Sequence, residues 1–143
     1  MIGLDTNVLA RYITQDHPAQ AAAAAAAAAQ VMDSLSSESP GFLSLLVIAE
    51  LEWVLQFSYH FKKHEIEHIV KRLLRSRKLV VERAEIVSQA LRKFHVSRAN
   101  FADYLIERCG HAAECQYLLT FDKHAAAAGM KLCASSRPRQ TRE

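Results

Sequence analysis

Four carboxylates fall where a folding chain can least easily ignore them: Asp5 in IGLDTN, Glu50 in LLVIAELEWVL, Asp103 in NFADYLI and Asp122 in LLTFD. Asp5 and Asp122 follow apolar, strand-like runs directly. Glu50 and Asp103 interrupt apolar helix faces. Burying an ionised carboxylate costs several kcal/mol unless a partner compensates. Two carboxylates about 5 Å apart also repel by roughly 3 kcal/mol at an effective dielectric of about 20. A fold that gathers all four therefore requires a cation. Ligands that are oxygen only favour Mg²⁺ or Mn²⁺ over Zn²⁺, and such a site suits phosphodiester hydrolysis by metal-activated water.

The rest of the chain alternates short apolar runs with helical periodicities. Met1 to Leu4 reads as a strand, Thr6-Asn7 as turn and cap, and Val8, Leu9, Tyr12 and Ile13 as a helix. His17-Pro18 is expected to open a second helix, whose body is the alanine run Ala21–Ala29. Alanine favours helix but draws no amphipathic stripe. After the polar linker Ser34–Pro40, the run from Gly41 to Leu43 predicts a strand. A helix to about Phe57 follows, with Leu46, Val47, Glu50, Trp53, Val54 and Phe57 on the face expected to turn inward. Lys63 to Ser76 predicts a helix buried through Ile66, Ile69, Val70, Leu73 and Leu74. Leu79 to Val81 predicts a strand, and 84–94 and 101–113 predict helices. Tyr117–Phe121 and Met130–Cys133 predict the last strands. Strands alternating with helices imply a three-layer α/β/α domain around a mostly parallel central sheet. The domain is expected over 1–134. The segment 135–143, with Arg137, Arg139 and Arg142, has too few apolar residues to fold and is expected to be disordered.

A chain of 143 residues, half of them hydrophobic, supports one core. No apolar run is long enough to span a membrane, and Asp5 interrupts the first apolar stretch, so no signal peptide is expected. Cys109, Cys115 and Cys133 lack paired spacing and read as reduced thiols of a cytoplasmic protein. The net charge of +3 gives a mild preference for an anionic partner.

Each carboxylate has a structural reading beside the catalytic one. Asp5 and Asp122 sit where α/β ligands gather, outside the carboxyl ends of strands, yet either equally suits a helix N-cap. Asp103 suits the positive end of its helix dipole. Glu50 on an inward stripe resists a structural explanation other than a buried ion pair, and Glu52 is expected outward. Between Lys62 and Lys78, seven Lys or Arg stand against two Glu. Lys71, Arg72 and Arg75 are the candidate contacts to an RNA backbone, a solvated helix face being the alternative. His64 and His68 share an i, i+4 spacing without a third ligand, and Trp53 is expected in the core.

The ordered motifs D-T-N, A-E-L-x-W-V-L, N-F-A-D-Y-L-I and T-F-D-K, covering Met1 to about Leu132, resemble PIN-domain ribonucleases. They are most similar to the toxins of VapBC-type toxin–antitoxin modules. The resemblance implies that Asp5, Glu50, Asp103 and Asp122 hold Mg²⁺ or Mn²⁺ and activate water against an RNA phosphate, with Asn7 and Thr120 in support. It further implies a small antitoxin covering the acidic groove and a homodimer. Asn100 stands where many relatives carry Asp, which removes one charge from the region of a second metal. Two other readings compete: a catalytically silent module that binds RNA or protein, and a receiver- or phosphatase-type phosphoryl-transfer domain. D-T-N argues against the latter, since it lacks the second acid of D-x-D.

Overall fold

A computed structural model describes residues 1–18 and 21–133. The expected tail, 135–143, lies outside them. The chain runs β1 (Ile2–Gly3), α1 (Thr6–Ile13), α2 (Ala22–Asp33), β2 (Gly41–Leu43), α3 (Leu45–Tyr59), α4 (Lys63–Arg75) and β3 (Leu79–Val81). It continues through α5 (Ala84–His95), α6 (Phe101–Ala112), β4 (Leu119–Thr120), α7 (Lys123–Ala127) and β5 (Lys131–Leu132). This is the expected three-layer α/β/α architecture. Its parallel strands form two sheets, β1-β2-β3 and β4-β5.

β2 is the middle strand of the larger sheet because both of its edges are satisfied. Leu4 N–H donates to the Phe42 carbonyl at 3.0 Å on one side, and Gly41 N–H to the Lys78 carbonyl at 2.8 Å on the other. Gly41 is required by close approach. A Cβ there would lie 2.8 Å from Leu4 Cδ1 and 3.0 Å from Leu35 Cδ1, inside contact distance. β1 and β2 are parallel, so their carboxyl ends, and with them Asp5 and the start of α3, share one sheet edge.

The helices close over the sheet through Leu9, Ile48, Leu51, Leu55, Ile66, Val70, Ile86, Val87 and Phe101, all nearly inaccessible to solvent. α2 turns Ala25, Ala28 and Met32 inward. It begins at Ala22, not at Pro18: His17 N–H closes a turn onto the Thr14 carbonyl at 2.8 Å, which ends the preceding segment before any helix starts.

α3 is rotated from the orientation expected of it. Its buried residues are Ile48, Leu51, Glu52 and Leu55, while Leu46 (81% exposed), Trp53 (61%) and Phe57 (53%) face outward with Glu50. Trp53 is therefore no core residue. The helix is apolar almost all round, so periodicity alone sets no phase. The phase is set at its N-terminus, where Ser44 Oγ accepts from Val47 N–H (3.2 Å) and Glu82 from Leu45 N–H (2.9 Å).

Candidate active site

Asp5 leaves β1 and caps α1, its carboxylate accepting from Thr6 N–H at 2.8 Å. Asp122 does the same for α7, accepting from His124 N–H at 2.8 Å. Its own N–H donates to Thr120 Oγ1 at 3.0 Å, which fixes the bend between β4 and α7. Asn7 is exposed in the first turn of α1. The capping geometry accounts for both aspartates structurally without occupying all their oxygen lone pairs.

Asp103 occupies the third position of α6, and its carboxylate reaches back to Asn100 N–H at 3.2 Å, half of a capping box. Asn100 is the N-cap of that helix. Asn caps as well as Asp does, so the uncharged residue is no defect in the fold. The Asp103 carboxyl is pushed above the usual range, first by burial and then by repulsion from Asp122. The Asn100 N–H and the nearby His124 oppose the rise. Asp103 and Asp122 therefore feel each other across the gap between α6 and α7.

The residue that sequence reasoning missed is Glu52. It is 3% exposed, where an outward position was expected. Its carboxylate accepts from Phe101 N–H at 3.3 Å, pinning the N-terminus of α6 against α3. Burial raises its pKa first; N–H groups of Phe101 and Ala102 pull the other way, and Asp103 adds to the rise. A helix N-terminus is a natural seat for a carboxylate. The sequence signal was present: Glu52 shares a face with Ile48 and Leu55, an i, i+4 and i+7 set. Glu50, by contrast, is exposed on the outward face of α3.

Repulsion thus couples Glu52 to Asp103 and Asp103 to Asp122, while Asp5 and the start of α3 share one edge of the larger sheet. Among the described residues, no three His, Cys, Asp or Glu side chains approach closely enough to enclose an ion. The donor chemistry nonetheless fits a hard divalent cation. The acids are oxygen ligands, and a cation would relieve the strain on Asp103. Two buried hydroxyls without a protein partner, Thr6 Oγ1 and Tyr104 OH, each lie one residue beyond a candidate ligand.

A cavity of about 620 Å³ opens elsewhere, at the opposite edge of the larger sheet, where Lys78 and Leu79 begin β3. Tyr12, Phe61, His64, His68 and Arg72 line it. His64 and His68 are exposed, as are Lys71, Arg72 and Arg75 on α4. No described helix is long and apolar enough to cross a membrane.

Parallel α/β layers with acidic residues at the sheet edge define a class of small nuclease-like domains. The chain matches the PIN domain family over residues 2–130 and belongs to that family. PIN domains are generally nucleases that need a metal, which places the chain among hydrolases at the level of the family. No curated protein matches it significantly.

Proposed function

We propose that the chain is a Mg²⁺- or Mn²⁺-dependent endoribonuclease, with the role of toxin in a toxin–antitoxin pair. The observation that supports the reading is the half-buried Asp103 carboxyl, held above the usual range first by burial and then by Asp122, a strain that a bound cation would relieve. The order of the four motifs supports the toxin role, and with it a small antitoxin partner.

Asp5, Glu50, Asp103 and Asp122 would hold the metal, which supplies Lewis-acid activation of water and of the phosphate. The chain's own contribution is orientation. Backbone N–H groups of Thr6, Asn100 and His124 each fix one carboxylate, and Thr120 fixes the bend behind Asp122. Glu52 holds the start of α6, and so Asp103, against α3. Asn7 adds a polar group beside Asp5, and Asn100 keeps the start of α6 uncharged. Lys71, Arg72 and Arg75 offer positive charge to an RNA backbone on α4.

The test is cleavage of RNA by purified protein with Mg²⁺, with EDTA, and as Asp103→Asn. We expect a loss of about a hundredfold or more in each impaired condition, the scale of losing a main electrostatic element of a site. Cleavage that persists in EDTA and in the variant overturns the reading. Unchanged RNA binding without cleavage under any condition establishes the silent module instead.

A further inference from the structure

The cavity at the far edge of the larger sheet stands apart from the candidate metal ligands. α1 is capped by Asp5 and ends with Tyr12 and Ile13 in the cavity wall, so the two places lie at opposite ends of one helix. Its volume of about 620 Å³ falls within the roughly 300–1,000 Å³ of small-molecule pockets. Its make-up is also theirs, an apolar floor under a few polar groups. Met32 and Leu73 are buried in that floor, and Leu79 is half-buried beside them. The rings of Tyr12 and Phe61 are half-buried there too.

The charges on the rim are sorted by element. α4 presents His64, His68 and Arg72 at successive spacings of four, one row along the helix. Lys78 continues it at the start of β3. The turn after α1 supplies Asp16, and the last residue of α2 is Asp33. Arg72, Lys78, Asp16 and Asp33 are exposed, and none forms an ion pair among the described residues. Glu65, the acid that α4 adds to the rim, already accepts from Lys62 N–H at 3.0 Å. An occupant therefore needs an anionic end, a flat apolar-faced body and an end that donates hydrogen bonds, in that order. A fatty acid lacks the donor end. A free amino acid carries both charges at one end and so cannot serve both walls.

We propose that this cavity binds a nucleoside monophosphate whose base carries an exocyclic amine. Arg72 and Lys78 take the phosphate, since charge-assisted bonds from guanidinium and ammonium groups are the strong ones. Tyr12 and Phe61 lie along the base, which stacks on aromatic rings. Asp16 and Asp33 receive the amine, as carboxylates do from adenine or cytosine. The site is independent of the nuclease reading: it uses none of the candidate metal ligands and takes a mononucleotide, not an RNA chain. Of the cations on α4 proposed to meet RNA, Arg72 is on the cavity rim, while Lys71 and Arg75 are not.

The full chain is titrated with AMP by isothermal titration calorimetry in EDTA, which removes metal-bridged phosphate binding at the acidic edge. UMP, adenosine, inorganic phosphate and phenylalanine are titrated alongside. We expect one AMP per chain, bound tighter than each of the other four by about tenfold or more. Arg72→Ala should weaken AMP by about tenfold and leave adenosine unchanged. Lys71→Ala, off the rim, should leave both unchanged. Asp16→Asn combined with Asp33→Asn should bring AMP and UMP together. All these positions are exposed, so the thermal melts should match that of the parent. The absence of saturable AMP binding overturns the proposal. So does inorganic phosphate or phenylalanine binding as tightly as AMP, which would leave a plain charged patch. AMP binding indifferent to Arg72→Ala overturns it as well, since the ligand would then sit elsewhere. A chain that binds AMP but cleaves no RNA refutes only the proposed function; an active nuclease that binds no AMP refutes only this site.

Discussion

Glu52 offers the sharpest test of how the site is held, because two effects oppose each other there. Its carboxylate is buried, so ionising it in the fold is costly. It also satisfies Phe101 N–H at the buried start of α6. Glu52→Gln keeps a carbonyl acceptor and the volume but removes the charge. Glu52→Ala removes both. The difference between the two variants therefore isolates the acceptor and its packing from the charge. An unsatisfied buried N–H costs about 1–3 kcal/mol, and the lost side-chain volume adds to it. Glu52→Ala should be less stable than Glu52→Gln by about 2–4 kcal/mol, or about 10 °C in Tm for a chain of this size. Urea unfolding followed by circular dichroism measures it. Glu52→Gln should equal or exceed the parent at neutral pH. The folded-state pKa of Glu52 is raised, so the native state holds its proton to higher pH than the unfolded chain. The resulting penalty is present above the raised pKa and disappears as pH falls towards the ordinary carboxylate range. Parent and Glu52→Gln should converge as the solution is acidified. Equal stability of the Ala and Gln variants would refute the role of Glu52 as the clasp between α3 and α6.

Glu107 predicts the opposite pH trend. Arg108, at 2.6 Å, and then Lys93 hold its carboxyl below the usual range. Its contribution is thus present above the ordinary carboxylate pKa and is lost as pH falls through the lowered one. An acid-denaturation series should show Glu107→Gln less stable at neutral pH and closing on the parent in strong acid. Gly41→Ala should lower stability by about 1–3 kcal/mol in the same urea assay, because the new methyl overlaps Leu4 and Leu35 in the middle strand. A stabilised Gly41→Ala would mean that β1 and β2 pack less closely than the structure has them.

The element order was legible because most helices and strands carry local signals: Gly41-Phe42-Leu43 after a polar linker, and Ile66, Val70 and Leu73 in a one-sided stripe. The sequence misled on α3 for a physical reason. A helix apolar on most sides has no preferred inward face until its ends are tied down, and the ties of α3 come from Ser44 beside it and Glu82, distant in sequence. The start of α2 failed for another reason. Pro18 suits a first turn, but the His17–Thr14 hydrogen bond had already committed the chain to a separate turn. Such choices rest on tertiary contacts, which periodicity does not encode.

The rotation of α3 changes what the four carboxylates mean. Glu50 was the acid hardest to explain structurally because it was expected on a buried stripe; once it faces water that argument passes to Glu52. Glu52 has a structural explanation, the N–H groups at the start of α6. Asp5 and Asp122 are caps as well as candidate ligands. Asp103 is compensated least: it is half-buried and repelled by Asp122, and only the Asn100 N–H and the nearby His124 oppose the rise of its pKa. Evolution toward stability alone would remove either charge at little cost, since exposed Asp122 could cap α7 equally well as Ser or Asn. A cation at this edge would therefore relieve Asp103 and Asp122 before any other acid.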